Sequence, residues 1–205
     1  MPRSKTHSVH AAVSIIVGIA GGSASGKTTF TTALMQSFTE CFPDLSVQLF
    51  GMDKYFYRGA PGGPIFVSPS SGEVLPNNNH PNSADNAKLT ADLEALRISA
   101  DCPNIIIVEG LMTLYIPEIR SMLDVKLYID LPPDIRALRR LLRDMKGGRG
   151  STDPEWIATY YRECARVGHE TYIEPSRAYA DLIIRGDSDF SVTAPLVAAA
   201  VASRA

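Results

Sequence analysis

The clearest chemistry sits in eight consecutive residues. Gly21-Gly22-Ser23-Ala24-Ser25-Gly26-Lys27-Thr28 fits G-x-x-x-x-G-K-[ST] in full. Small residues let successive backbone N–H groups point at phosphate oxygens, and a helix starting there adds its partial positive end. Lys27 is placed to reach the β- and γ-phosphates, and the Thr28 hydroxyl to ligate Mg²⁺, with Thr29 next in line at the helix start. ATP is the expected donor. The motif by itself implies a bound triphosphate, not what is done with it.

Two acids stand where such a site needs them. One apolar run ends in Met52-Asp53 and another, Ile105-Ile106-Ile107-Val108, ends in Glu109-Gly110. Strand C-termini of an open parallel sheet face the ligand crevice, which puts both carboxylates beside the glycine-rich loop. Asp53 there accepts the proton of an attacking hydroxyl, or binds Mg²⁺ through water; the plainer alternative is a turn cap. Glu109 either holds a metal-bound water or positions Lys27, with a capping carboxylate again the bland alternative.

A helix over 133–145 places Ile135, Leu138, Leu142 and Met145 on one side. Arg136, Arg140 and Arg143 share another side, with Arg139 beside them. Such a stripe is often only a solvated face. Here Lys146-Gly147-Gly148-Arg149-Gly150 follows, and glycines beside cations suit a lid over the transferring phosphoryl group. Arg140, Arg143 and Arg149 are the expected phosphate contacts; Arg136 and Arg139 read as solvent residues.

These residues need a scaffold of alternating strands and helices. Apolar runs predict strands at 13–20, 46–52, 104–109, 125–130 and 181–185, and amphipathic runs predict helices at 27–40, 86–99, 133–145, 154–172 and 191–202. The expected fold is α/β, of the P-loop NTPase type: three layers around a five-stranded, mainly parallel sheet, with a small arginine-bearing lid at 145–153. A single domain is expected over 1–205. Residues 1–12 carry Arg3, Lys5, His7 and His10 but no acid, and read as a flexible tail. Residues 54–85 break the alternation with five prolines and four glycines, which marks an acceptor-site loop. A hairpin of Ile65–Val67 and Glu73–Leu75 fits inside it.

Bulk properties narrow the class. The chain has 205 residues, 45% of them apolar, and a net charge of −2. That size suits a folded domain, and that charge gives no reason to expect a nucleic-acid partner. The three cysteines, Cys41, Cys102 and Cys164, are too few for a disulfide framework or zinc site, and a reducing cytoplasm is the expected location. No apolar run is long enough to span a membrane. A small-molecule substrate is the expected partner, with homo-oligomerisation open.

The order of these motifs resembles the uridine kinase family and its phosphoribulokinase-like relatives, from about Val13 to Gly186. The resemblance rests on GGSASGKTT, Asp53-Lys54-Tyr55-Phe56 with Tyr57-Arg58, and His80-Pro81-Asn82 with Asp85. It continues through IIIVEG, LDVKLYID, RALRRLLRD and YADLIIRG. It implies transfer of the ATP γ-phosphoryl to a small-molecule hydroxyl with Mg²⁺, Asp53 as the base, and the arginines of the 140s closing over the phosphates. It also implies acceptor contacts from Asn79, His80 and Arg140; the aromatic cluster Tyr55-Phe56-Tyr57 is itself expected to put one member against the acceptor, with packing onto the core as the plainer alternative.

The departures fall at the acceptor end. The chain reads Asn79-His80-Pro81-Asn82 where uridine kinases read Asp-His-Pro-Asp. The first Asp of that motif is associated with the ribose. No Gln follows the lid; the nearest positions are Thr159 and Tyr160. A nucleoside is therefore the favoured acceptor, with nicotinamide riboside, a sugar phosphate, pantothenate or glycerate as rivals. A non-catalytic nucleotide-binding regulator is the alternative outside enzymes.

Overall fold

The computed structural model describes residues 14–58, 61–147 and 151–205. The expected tail at 1–12 and Arg149 of the expected lid lie outside the described residues.

Five strands form one sheet: β1 (Ile15–Gly21), β2 (Val47–Gly51), β5 (Ile105–Glu109), β6 (Val125–Asp130) and β7 (Leu182–Arg185). Two more, β3 (Ile65–Val67) and β4 (Val74–Pro76), form the separate hairpin. The sheet order is β2-β5-β1-β6-β7, and every pairing is parallel. Ile19 of β1 and Gly51 of β2 both register with Glu109, and Gly21 registers with Ile129. The ends of four strands therefore reach one edge. The chain builds β2 and β5 on one side of β1 and then crosses to β6 and β7 on the other, so the strand order reverses at β1, which opens a crevice above it.

Alternation along β1 builds two cores. Val17 and Ile19 pack with Phe30, Leu34 and Phe38 of α1 (Lys27–Cys41) and with Ala194 and Ala198 of α8 (Phe190–Ala202). Ile16 and Ala20 face the other way, onto Leu89 and Leu93 of α2 (Asn86–Arg97) and Ile119 of α3 (Pro117–Arg120). Ile16, Val17 and Ile19 have no exposed surface. Burying each contributes about 1.5–3 kcal/mol against the unfolded chain. The central strands β1, β5 and β6 are covered on both faces as their composition predicts. The edge strand β7 leaves Leu182 and Ile183 about half exposed, at 47% and 49%.

The helix predicted at 154–172 is longer and less regular than its sequence suggests. Its pieces α5 (Pro154–Tyr160), α6 (Arg166–Gly168) and α7 (Glu174–Ser176) are joined by π turns at Tyr161–Ala165 and His169–Ile173. Asp153 starts this rod by accepting from the Trp156 N–H, with Pro154 in the first turn. The hairpin is fastened to it. Ser68 Oγ donates to Glu163 (2.7 Å), Tyr160 OH donates to the Pro76 carbonyl (2.8 Å), and Phe66 meets Tyr160 edge-on.

The helix α4 (Pro133–Asp144) turns its charged side inward. Leu138 and Leu142 are each 61% exposed, while Arg136 is 3% exposed. Periodicity identifies two faces of a helix without saying which one is covered. Here the covering surface is polar: the Leu131 carbonyl accepts from Arg136 Nε, and the Gly186 carbonyl accepts from Arg139 Nη1.

Candidate active site

The chain leaves β1 at Gly21 and enters α1 at Lys27 through a loop with two left-handed residues, Ala24 (φ 61°) and Gly26 (φ 103°). Gly26 takes that conformation without steric cost. No side chain caps α1 and no acid lies in its first turn. Its first N–H groups and partial positive charge are thus left for an anion. Lys27 is buried and donates from Nζ to the Gly22 carbonyl (2.9 Å). Gly21, Gly22 and Ser25 are buried, so their contribution is backbone, while Ser23, Ala24, Gly26, Thr28 and Thr29 line the cleft above.

Two neighbours hold the loop from behind. Gly186 packs so closely that a Cβ there would overlap the Ser25 carbonyl. Arg136 lies against Gly22, where an added Cβ would come within 2.6 Å of its Nη1. Arg136 is therefore a buried support of the phosphate loop, which corrects the expectation of a solvent residue. Arg139 is exposed as expected, yet it is tied to Gly186 and lines the cleft.

This first cleft has a volume of about 690 Å³. Lys27, Thr28, Asp53, Glu109 and Arg143 share it. Asp53 follows β2 in a short 3₁₀ turn, Met52–Tyr55, and Glu109 ends β5. Thr28 Oγ1 and Glu109 Oε2 lie 3.4 Å apart, a long hydrogen bond. The far wall is Gly186, Asp187, Ser188 and Phe190, and Phe190 meets Phe30 edge-on at 5.3 Å. That wall was not anticipated as part of the site. Its signal was present, since it follows the last strand at the same sheet edge as Asp53 and Glu109.

A second pocket, of about 560 Å³, adjoins the first. Of the expected acceptor residues it contains Phe56, Asn79 and Arg140. It also contains Asp144, Trp156 and Tyr160, which sequence reasoning did not select. Trp156 and Tyr160 stack at 5.2 Å and 10°, and the Arg140 guanidinium lies 5.4 Å from the Tyr160 ring centre. Burial raises the Tyr160 hydroxyl pKa, so it remains a neutral donor to Pro76. Asn79 is buried, with Nδ2 donating to Cys164 Sγ at 3.6 Å.

Three expected acceptor residues point elsewhere. Tyr55 donates to Asp92 (3.0 Å) and stacks on Phe50. Burial and then the Asp92 carboxylate push its hydroxyl up to about 12. Tyr57 lines neither pocket; its backbone N–H pairs with the Ser83 carbonyl. His80 accepts from the Asn82 N–H at Nδ1, rests edge-on against Tyr172, and lines a different cavity beside α2. Phe56 is the member of the aromatic trio that reaches the pocket.

The two pockets share four residues: Ser23, Asp53, Leu111 and Arg143. Asp144, 2% exposed, accepts from Arg143 Nε at 2.7 Å and lies 3.3 Å from Arg140 Nε. Arg143 Nη2 is buried and finds no hydrogen-bond partner among the described residues. A further polar group ties the rod to the sheet. Glu174 accepts from Tyr128 OH and lies 3.2 Å from His169 Nε2. Burial, then the Arg136 charge, lowers the His169 pKa to about 4, so the ring is neutral at pH 7.

The residues at the first cleft suit a hard cation beside a polyphosphate. Thr28, Glu109 and Asp53 all offer oxygen, the donor type that Mg²⁺ prefers. Among the described residues no group of three His, Cys, Asp or Glu side chains forms a cation site. Mg²⁺ characteristically takes its remaining ligands from phosphates and water. Among the described residues, too, no helix is long and apolar enough to cross a membrane.

Comparison with known proteins agrees with this geometry. Residues 82–192 match the phosphoribulokinase / uridine kinase family profile. A uridine kinase of Staphylococcus epidermidis is 37% identical over 190 residues, covering 82% of this chain and 86% of that protein. Among solved structures, a possible uridine kinase from Bacillus stearothermophilus superposes with a TM-score of 0.54 at 20% identity, covering 84% and 89% of the two chains. Shikimate kinase from Acinetobacter baumannii superposes with a TM-score of 0.54 at 14% identity, covering 94% and 96%. These two likenesses concern the fold, whereas the family match and the 37% identity establish kinship: the chain belongs to the phosphoribulokinase / uridine kinase family.

Proposed function

We propose that the protein transfers the γ-phosphoryl group of ATP, with Mg²⁺, to a hydroxyl of a pyrimidine nucleoside of the uridine or cytidine kind. The observation that carries this reading is the junction between the two pockets. A donor cleft and an acceptor pocket meet at Asp53 and Arg143, so one carboxylate and one guanidinium face both. The name of the Staphylococcus epidermidis relative supports a nucleoside as the acceptor.

The donor end binds by backbone and charge. The loop N–H groups from Gly21 to Thr28 and the start of α1 cradle the phosphates, and Lys27 compensates charge at the β- and γ-positions. Thr28, with Glu109 and Asp53 nearby, would hold Mg²⁺, which neutralises phosphate charge when bound. Thr29 extends the same helix start.

At the junction, Asp53 accepts the proton of the acceptor hydroxyl as its oxygen bonds to the γ-phosphorus. The bond from that phosphorus to the β–γ bridging oxygen breaks, and ADP leaves. Arg143 and Arg140 stabilise the charge on the transferring group. Phe56, Trp156 and Tyr160 offer flat apolar surface to the acceptor, and Asn78 and Asn79 offer amides. Closure here excludes the water that would otherwise compete.

The test is ATP consumption across uridine, cytidine, nicotinamide riboside, pantothenate, glycerate and sugar phosphates, with Asp53→Asn as the blank. Uridine- or cytidine-dependent turnover that the blank lacks is expected. Turnover only with a non-nucleoside acceptor would overturn the acceptor assignment.

A further inference from the structure

Asp144 is the only carboxylate among the described residues that is fully buried, and nothing in the reaction above uses it. Its surroundings show what it touches. One oxygen accepts from Arg143 Nε (2.7 Å) and the other lies 3.3 Å from Arg140 Nε. Both guanidiniums belong to the acceptor pocket, and Arg143 also borders the donor cleft.

Packing alone does not require a carboxylate here. The opposite side of α4 leaves Leu138 and Leu142 exposed, so this helix is not anchored by an apolar stripe. A buried carboxylate is costly unless it is paired, and here it is paired twice. A guanidinium is a planar fork, so fixing Nε fixes the direction of its outer edge. Arg143 keeps 35% of its side chain exposed, while its Nη2 is buried and unpartnered among the described residues. Asp144 also separates two cations on adjacent turns that would otherwise repel within one pocket.

We propose that Asp144 is a positioning residue for phosphoryl transfer: its carboxylate holds Arg143 by Nε so that the guanidinium stays at the junction of the two pockets. It acts through Arg143 and touches neither reactant. The inference rests on the phosphotransfer reading above, and its test separates the two.

Turnover of uridine with ATP is measured for the parent, Asp144→Asn, Arg143→Ala and the double variant, with thermal melts to verify folding. Asp144→Asn is expected to lower kcat about 30-fold while both KM values change less than about threefold, because the missing effect belongs to the transition state. In the Arg143→Ala background the Asp144 change is expected to cost almost nothing more, since its target is gone. Independent, multiplying losses in the double variant, or a parental kcat in Asp144→Asn, would overturn the proposal.

Asp144→Glu keeps the charge and guards against a folding failure of the Asn variant. It displaces the carboxylate by one methylene and is expected to lower kcat about fivefold; parental kcat in that variant would also overturn it. If the parent ignores uridine, the acceptor reading fails and the same cycle is run on binding. The ratio of ADP to AMPPNP dissociation constants is then measured by calorimetry without an acceptor. Asp144→Asn should weaken the triphosphate preference about tenfold, and only when Arg143 is present. An unchanged ratio would overturn the brace with the acceptor reading set aside.

Discussion

The two ends of the site are built in opposite ways. The donor end comes from one contiguous loop plus the ends of neighbouring strands. Gly21 to Thr28 supplies the cradle, and Asp53 and Glu109 arrive because parallel strands finish at one sheet edge. The acceptor end is assembled from four distant segments: Phe56 with Arg58, the β4 end through Asn79, the last turns of α4, and Trp156 with Tyr160 on the rod. Backbone topology fixes the first and side-chain packing fixes the second. Changes at the donor end should therefore abolish phosphate handling, whereas changes at the acceptor end should redirect or weaken one substrate.

The largest effect is expected at Lys27. Lys27→Ala should lower kcat/KM about 10³-fold and weaken ATP binding as well, measured by steady-state kinetics and calorimetry. A variant with parental values for both would break the donor half of the comparison. Gly186→Ala comes next. Its Cβ would overlap the Ser25 carbonyl, so the loop must shift, and ATP affinity should fall while acceptor affinity measured separately holds. Equal losses for both ligands would mean that the two ends are not independent.

Trp156→Ala sharpens the acceptor half. Removing one member of the stacked pair should raise the nucleoside KM about tenfold and leave the ATP KM unchanged. The smallest effect is one of stability rather than turnover. His169 stays neutral in the folded chain down to about pH 4, whereas in the unfolded chain it protonates near 6.5. The unfolded state therefore binds more protons between these values, and stability should fall as pH drops from about 6.5 to 4. In His169→Gln that slope should flatten, as read from denaturant midpoints across the range.

Much of this arrangement is legible in the sequence. The order of strands and helices, the phosphate loop and the strand-end acids follow from local pattern, because each is coded within a few consecutive residues. The hairpin was legible too: Ile65–Val67 pairs as expected, with the second strand shifted by one residue to Val74–Pro76. Less was legible where long-range packing decides. Arg136 reads as a surface residue because a helical stripe does not say which side is covered, and here the cover is the Gly22 turn and the Leu131 carbonyl. His80 and Tyr55 carry motif letters, yet Tyr172 and Asp92 draw them away from the pocket. Trp156 and Tyr160 carry no motif at all, and only the course of the rod past the hairpin brings them in.

The central claim is that Asp53, at the meeting point of the two pockets, takes the proton from the acceptor. Its most direct test is Asp53→Asn, measured for ATP affinity by calorimetry and for kcat with uridine. An ATP dissociation constant within about threefold of the parent, with kcat down by about 10²–10⁴, is the predicted result. A parental kcat in that variant would contradict the account.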